Sequence, residues 1–165
     1  LRRRLVSTFL ALTCGLLMTA GTAEASHFRY GHMTWTRVAG TRTVNFTVTT
    51  AWRVSPFVGL NFGDATSASF GQAQMTQIAT GANFAVWRFT TSHTYASDGP
   101  FTAFFENCCR IGTSDGHVNN PDGWFRIASS VDLRNNNNGS PASSIPVILQ
   151  TDLPSKGTIK FQFYE

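Results

Sequence analysis

The sequence predicts an all-β fold, an antiparallel β-sandwich of about seven to nine short strands. Three observations predict it. Apolar residues recur with a period of two along most of the chain, the side-chain period of a strand with one face in a core. Clusters of Gly, Asn, Asp, Pro and Ser separate these runs at short intervals, where reversing strands need turn chemistry. Charged residues make up only 13% of the chain against 42% hydrophobic, so Ser, Thr, Asn and Gly supply the polar surface, which suits an extracellular β protein.

The chain opens with Arg2, Arg3 and Arg4, an apolar run from Leu5 to Met18, and Ala23-Glu24-Ala25. A basic start, an apolar stretch and an A-x-A site make residues 1–25 a cleaved secretory signal peptide. Ser7, Thr8, Thr13 and Gly15 interrupt the run, which also falls short of the roughly 20 apolar residues of a spanning helix. A secreted or cell-surface location follows, and the leader points to a bacterial host. Three of the 13 basic and one of the nine acidic residues lie in this leader, so the mature chain carries a net charge of +2. Its basic residues are scattered, which removes the footprint of a nucleic-acid binder.

Phe28 to Val38 reads as the first strand. Thr43 to Val54 is the clearest, with Val44, Phe46, Val48, Thr50, Trp52 and Val54 on one face. Pro56 to Asp64, punctuated by Pro56, Gly59 and Gly63, reads as a turn. Ala68 to Thr80 and Phe84 to Thr94 read as strands joined through Gly81-Ala82-Asn83, where Gly and Asn tolerate positive φ. Ser97-Asp98-Gly99-Pro100 turns into an apolar strand from Phe101 to Ile111. After a long loop, Gly112 to Gly123, the segment Trp124 to Arg134 alternates again, with Phe125, Ile127, Val131 and Leu133 on the core face. Asn135 to Pro146 has the composition of a linker. Residues 26–140 are thus read as the sandwich, and 141–165 as a linker with the last strands or the start of a truncated second β module.

Asn61-Phe62-Gly63-Asp64, followed by His93-Thr94-Tyr95 and then Gly99, Phe101, Thr102 and Ala103, resembles the signature of the polycystic-kidney-disease (PKD) repeat. The resemblance covers about residues 44 to 112 and implies an immunoglobulin-like sandwich in which Phe62, Gly63, Asp64, His93, Tyr95, Gly99 and Phe101 are motif positions. Leu60, Asn61 and Ala65 depart from the pattern. More loosely, the Ser-His-Phe-Arg-Tyr-Gly opening, the Cys-Cys-Arg-Ile strand end and the Ser-Pro-Ala-Ser-Ser-Ile-Pro-Val linker look like the N-terminal module of large secreted or surface proteins that continue into further β repeats.

Cys108 and Cys109 are the only cysteines after the leader. In an oxidising compartment they could join as neighbours, stay as thiols or pair with another chain. As a joined pair they offer a rigid apolar knob on which a ligand could stack. As thiols they are two small core-type side chains at a strand end. Asp115, Asn119, Asn120 and Asp122 could offer oxygen ligands to calcium, although Asp-Gly and Pro-Asp-Gly are also plain turn sequences. Trp35, Trp87 and Trp124 are candidates for a sugar-stacking face, with core packing as the competing role. Asn45-Phe46-Thr47 and Asn138-Gly139-Ser140 match N-glycosylation acceptors, which would carry nothing in a bacterial host.

The sequence contains no G-x-S-x-G, H-E-x-x-H, P-loop or G-x-G-x-x-G motif, so no catalytic site is read from it. The expected function is a secreted, non-catalytic module for adhesion, matrix assembly or carbohydrate or protein binding, without a cofactor unless calcium. The alternative is a small copper-dependent enzyme acting on polysaccharide. It would use His27 as a processed N-terminus with His32, His93 or His117, and cleavage after Ala25 leaves Ser26 in the way.

Overall fold

The computed structural model describes residues 27–112 and 121–142. Eight strands build two four-stranded antiparallel sheets. They are β1 (Phe28–Arg37), β2 (Thr43–Trp52), β3 (Phe57–Asn61), β4 (Ser67–Gly71), β5 (Thr76–Gly81), β6 (Phe84–Thr94), β7 (Phe101–Asn107) and β8 (Phe125–Val131). One sheet has the order β1-β2-β6-β5 and the other β4-β3-β7-β8, the strand order of an immunoglobulin-like sandwich. Among the described residues no helix is long and apolar enough to cross a membrane.

The core follows from the alternation on β2. Val44, Phe46, Val48 and Trp52 are fully buried, and Thr50 beside them is 1% exposed. Their neighbours Thr43, Asn45 and Thr47 face outward. Val58 and Leu60 of β3, Ala103 and Phe105 of β7, and Phe125 and Val131 of β8 supply the opposing wall. Each such large side chain contributes about 1.5–3 kcal/mol when withdrawn from water. Side-chain bonds tie the sheets at one end. Trp35 Nε1 donates to Ser130 O at 2.8 Å and Arg37 to Leu133 O at 2.9 Å.

Three segments differ from the sequence expectation. Pro56 to Asp64 is a turn only in its second half, because Phe57–Asn61 forms β3, with Val58 and Leu60 inward and Phe57 and Gly59 outward. Ala68 to Thr80 is two strands: a single 3-10 turn at Gln72–Gln74 carries the chain from one sheet to the other. The β5–β6 hairpin closes through Ala82 and Asn83 with no positive φ there. Gly81 serves space instead, since a Cβ on it would run into the Phe84 ring. The proposed leader, most of the Gly112–Gly123 loop and the strands expected after Pro146 lie outside the described residues.

Candidate functional site

Two clusters gather the residues singled out from the sequence. The first is the corner where the β3–β4 loop meets the ends of β6 and β7. Asn61 Oδ1 accepts the Gly63 N–H at 2.8 Å, and Gly63 holds φ +86° against the Thr102 backbone. This turn delivers Asp64. Its Oδ1 accepts from the Thr66 hydroxyl at 2.6 Å and the Thr66 N–H at 3.1 Å, while its Oδ2 accepts from His93 Nε2 at 2.7 Å. Phe62 stacks on the His93 ring at 4.2 Å, Tyr95 meets that ring edge-on at 4.6 Å, and Tyr95 stacks on Phe101 at 4.3 Å. The Tyr95 hydroxyl donates to Phe62 O at 2.9 Å. Gly99, at φ +92°, packs against Val131 O.

These residues come together as a structural bolt at one corner of the sandwich. Burial pushes the Asp64 carboxyl up, but the Thr66 and His93 hydrogen bonds and the His93 charge outweigh it, and the net shift is downward. Burial, followed by the Asp64 charge, pushes the Tyr95 phenol up. Carboxylate, imidazole and phenol each have a partner inside the cluster, so the arrangement fixes this corner. Thr66 was not singled out from the sequence, although Asp-x-Thr is a side-chain-to-backbone turn signature that could have flagged it.

The second cluster lies at the opposite end of β7. The structure selects one of the three cysteine alternatives: Cys108 and Cys109 are joined by a disulfide, across a cis peptide. Asn107 Oδ1 accepts the Cys108 N–H at 2.8 Å, Cys109 O accepts the Phe28 N–H at 2.9 Å, and Gly123 O accepts the Arg110 N–H at 2.9 Å. Asn107 pairs with Phe125 as the last rung of the β7–β8 ladder, and Cys108 and Trp124 lie just beyond it in sequence. Phe28, whose N–H bonds Cys109 O, stacks on Phe125 at 3.7 Å, with Trp52 edge-on to Phe28 at 5.0 Å. The disulfide is half-buried, and Trp124, which precedes Phe125 at the same end of the β7–β8 pair, is 69% exposed.

The sugar-stacking candidates separate. Trp35 is 2% and Trp87 9% exposed, because both sit on inward positions of the β1-β2-β6-β5 sheet, so neither ring is open to a ligand. Trp124 alone of the three keeps that capacity.

Asp122 lies with the two cysteine sulfurs inside a 4.8 Å cluster. A thiolate is the metal-binding form of cysteine, however, and a disulfide has none to give. Of the calcium candidates Asp122 is exposed near Gly112, while Asp115, Asn119 and Asn120 lie outside the described residues. Among the described residues the histidines do not converge on one site. His32 pairs in register with Thr49 on the outward face, and its ring nitrogen meets the Tyr30 hydroxyl at 3.1 Å. His93 pairs with Val44 on the inward face. His27 precedes β1, and His117 lies outside the described residues. Burial and the Arg88 charge both lower the His32 pKa.

The family described as "Integrin beta-like protein A-E, N-terminal" matches residues 29–134. Integrin beta-like protein C of Dictyostelium discoideum is similar, 31% identical over 152 residues that make up 77% of this chain and 8% of that protein. Integrin beta-like protein B of the same organism is 24% identical over 169 residues, 90% of this chain and 8% of the relative. Integrin beta-like protein A is 28% identical over 142 residues, 73% of this chain and 7% of the relative. The chain thus spans less than a tenth of these relatives' lengths. No solved structure matches. The expectation of a bacterial host is overturned, since all three relatives are proteins of a eukaryote; a basic, apolar leader is read alike in both kinds of cell.

Proposed function

The chain belongs to the integrin beta-like protein A–E N-terminal family, and on that premise we propose that it is a non-catalytic extracellular adhesion module, one β-sandwich serving a longer surface protein. Its matched relatives are named integrin beta-like, and its fold is a two-sheet scaffold of the kind that presents loops and strand ends to partners. The partner surface in this reading is the β7–β8 end.

One observation carries it. Trp124 is 69% exposed and immediately precedes Phe125, whose ring packs against Phe28 and Trp52 at the β7–β8 end that also carries the Cys108–Cys109 disulfide. A large exposed indole on a rigid base has the character of an interface anchor, since little ordering entropy is lost when it is covered. The ligand is a glycan or a protein surface, the two chemistries that stack on an indole without needing charge. Beads coated with the purified chain, presented to cells and to a glycan array, test this. Wild type is expected to bind at least one, and Trp124→Ala to weaken that binding by about tenfold or more. Equal binding by the variant, or none by wild type, refutes the reading.

A further inference from the structure

Asn45-Phe46-Thr47 occupies the middle of β2, with Phe46 fully buried and Asn45 exposed. Registered neighbours make the surroundings of Asn45 a field of small hydroxyls. Thr36 and Ser92 flank it in its own row, and Thr47 lies between Thr34 and Thr90 in the next. The Ser92 hydroxyl donates to Asn45 Oδ1 at 2.7 Å. That bond holds the amide oxygen and leaves the amide nitrogen as its open end. A shallow groove of about 480 Å3, lined by Asn45, Thr90, Thr91 and Ser92, begins at this side chain.

We propose that Asn45 carries an N-linked oligosaccharide whose first sugars seat in this groove. The inference rests on the extracellular reading above, because the acceptor triplet is used only on chains entering the secretory route. In the transfer, Asn45 Nδ2 displaces a lipid diphosphate from C1 of an N-acetylhexosamine. The C1–O bond breaks as the C1–Nδ2 bond forms, the amide nitrogen gives up one proton, and the lipid diphosphate departs with the bonding pair. Transfer precedes folding, since β2 is paired on both sides in the sandwich. The fold then has to leave the modified side chain outside, and at Asn45 it does. The Thr90 and Ser92 hydroxyls of the groove match the hydroxyl and acetamido groups of a sugar, and among the described residues no charged side chain lines it. A sugar here would occupy the outer face of the β1-β2-β6-β5 sheet and leave the Trp124 end of the other sheet clear.

The test uses the full chain produced in a eukaryotic secretory host behind an added leader, so that entry into the pathway does not depend on the chain's own N-terminus. Asn138→Gln removes the second acceptor, and the remaining sugar is read at one place. Enzymatic deglycosylation in heavy-oxygen water is expected to leave a labelled aspartate at position 45. Release is expected to be at least several-fold slower from the folded than from the denatured protein, and Asn45→Gln is expected to secrete and melt like the parent without the sugar mass. An unlabelled Asn45 in folded, secreted protein overturns the proposal, and equal release from folded and denatured protein overturns the seating. Either result accompanied by intact Trp124-dependent binding leaves the adhesion reading standing, which separates the two.

Discussion

Asp64 concentrates three hydrogen bonds on one carboxylate that is 18% exposed, and its protonation is therefore coupled to folding. Its pKa in the sandwich lies below the ordinary 3.8. The unfolded chain accordingly takes up this proton first on acidification. The stability Asp64 contributes is present in full above about pH 4 and drains away as pH falls through the lower, folded value. Asp64→Asn is expected to be less stable than wild type at neutral pH and to show a flatter loss of melting temperature below pH 4. Parallel curves down to pH 2 would mean that the carboxylate is not coupled to the fold. Asp64 and His93 were legible as a pair of motif positions, yet their direct bond was not, because 29 residues separate them in sequence and only sheet pairing decides which loop meets which strand. Cys108 and Cys109 show the converse. Their adjacency is plain in the sequence, but thiol and disulfide forms share that sequence, and three outcomes stayed open until the sulfurs were placed.

Elements were legible wherever two faces differ strongly. β2 and β6 read true within two residues because buried Val, Phe and Trp contrast with Thr, Asn and Arg on the other face. β3 and β4 are short, at five residues each, and use Gly and Ser on their outward positions, so their alternation is weak and Pro56 and Gly59 read as punctuation. The two glycines at this edge separate backbone need from simple tolerance. Gly63 holds φ +86°, and a Cβ would collide with the Thr102 backbone, whereas Gly59 has ordinary φ and only a Phe57 ring carbon at 3.9 Å. Gly63→Ala is expected to lower the unfolding free energy in denaturant titrations by about 1–3 kcal/mol, the scale of a forced left-handed residue. Gly59→Ala is expected to be neutral or to raise stability by up to about 1 kcal/mol, since it reduces the freedom of the unfolded strand. The same loss in both would remove the special role of the Asn61–Thr66 turn.

For the molecule as a whole, the question is what holds the sandwich closed. A disulfide in a small extracellular domain ordinarily restrains the unfolded chain by closing a loop, and its effect grows with loop length. Cys108 and Cys109 are one residue apart in sequence, so their bond encloses no loop and that source of stability is missing. Closure falls instead to the aromatic interior, where Phe28, Phe46, Trp52, Phe105 and Phe125 are each at most 7% exposed, and to the bolts from Tyr95 to Phe62 and from Trp35 to Ser130, both at the Phe101 end of β7. Stability and recognition are thereby separable at the β7–β8 end. The paired variant Cys108→Ser with Cys109→Ser is expected to unfold within about 1 kcal/mol of wild type, as for changes that open no cavity in the core. The same variant is expected to weaken the Trp124-dependent binding, because the disulfide and Trp124 lie just beyond the last Asn107–Phe125 rung at one end of the β7–β8 pair. Denaturant midpoints and bead binding measured on the same preparations decide it. A fold that collapses on losing the two sulfurs would make the pair a staple after all, and unchanged binding would detach it from the adhesion surface.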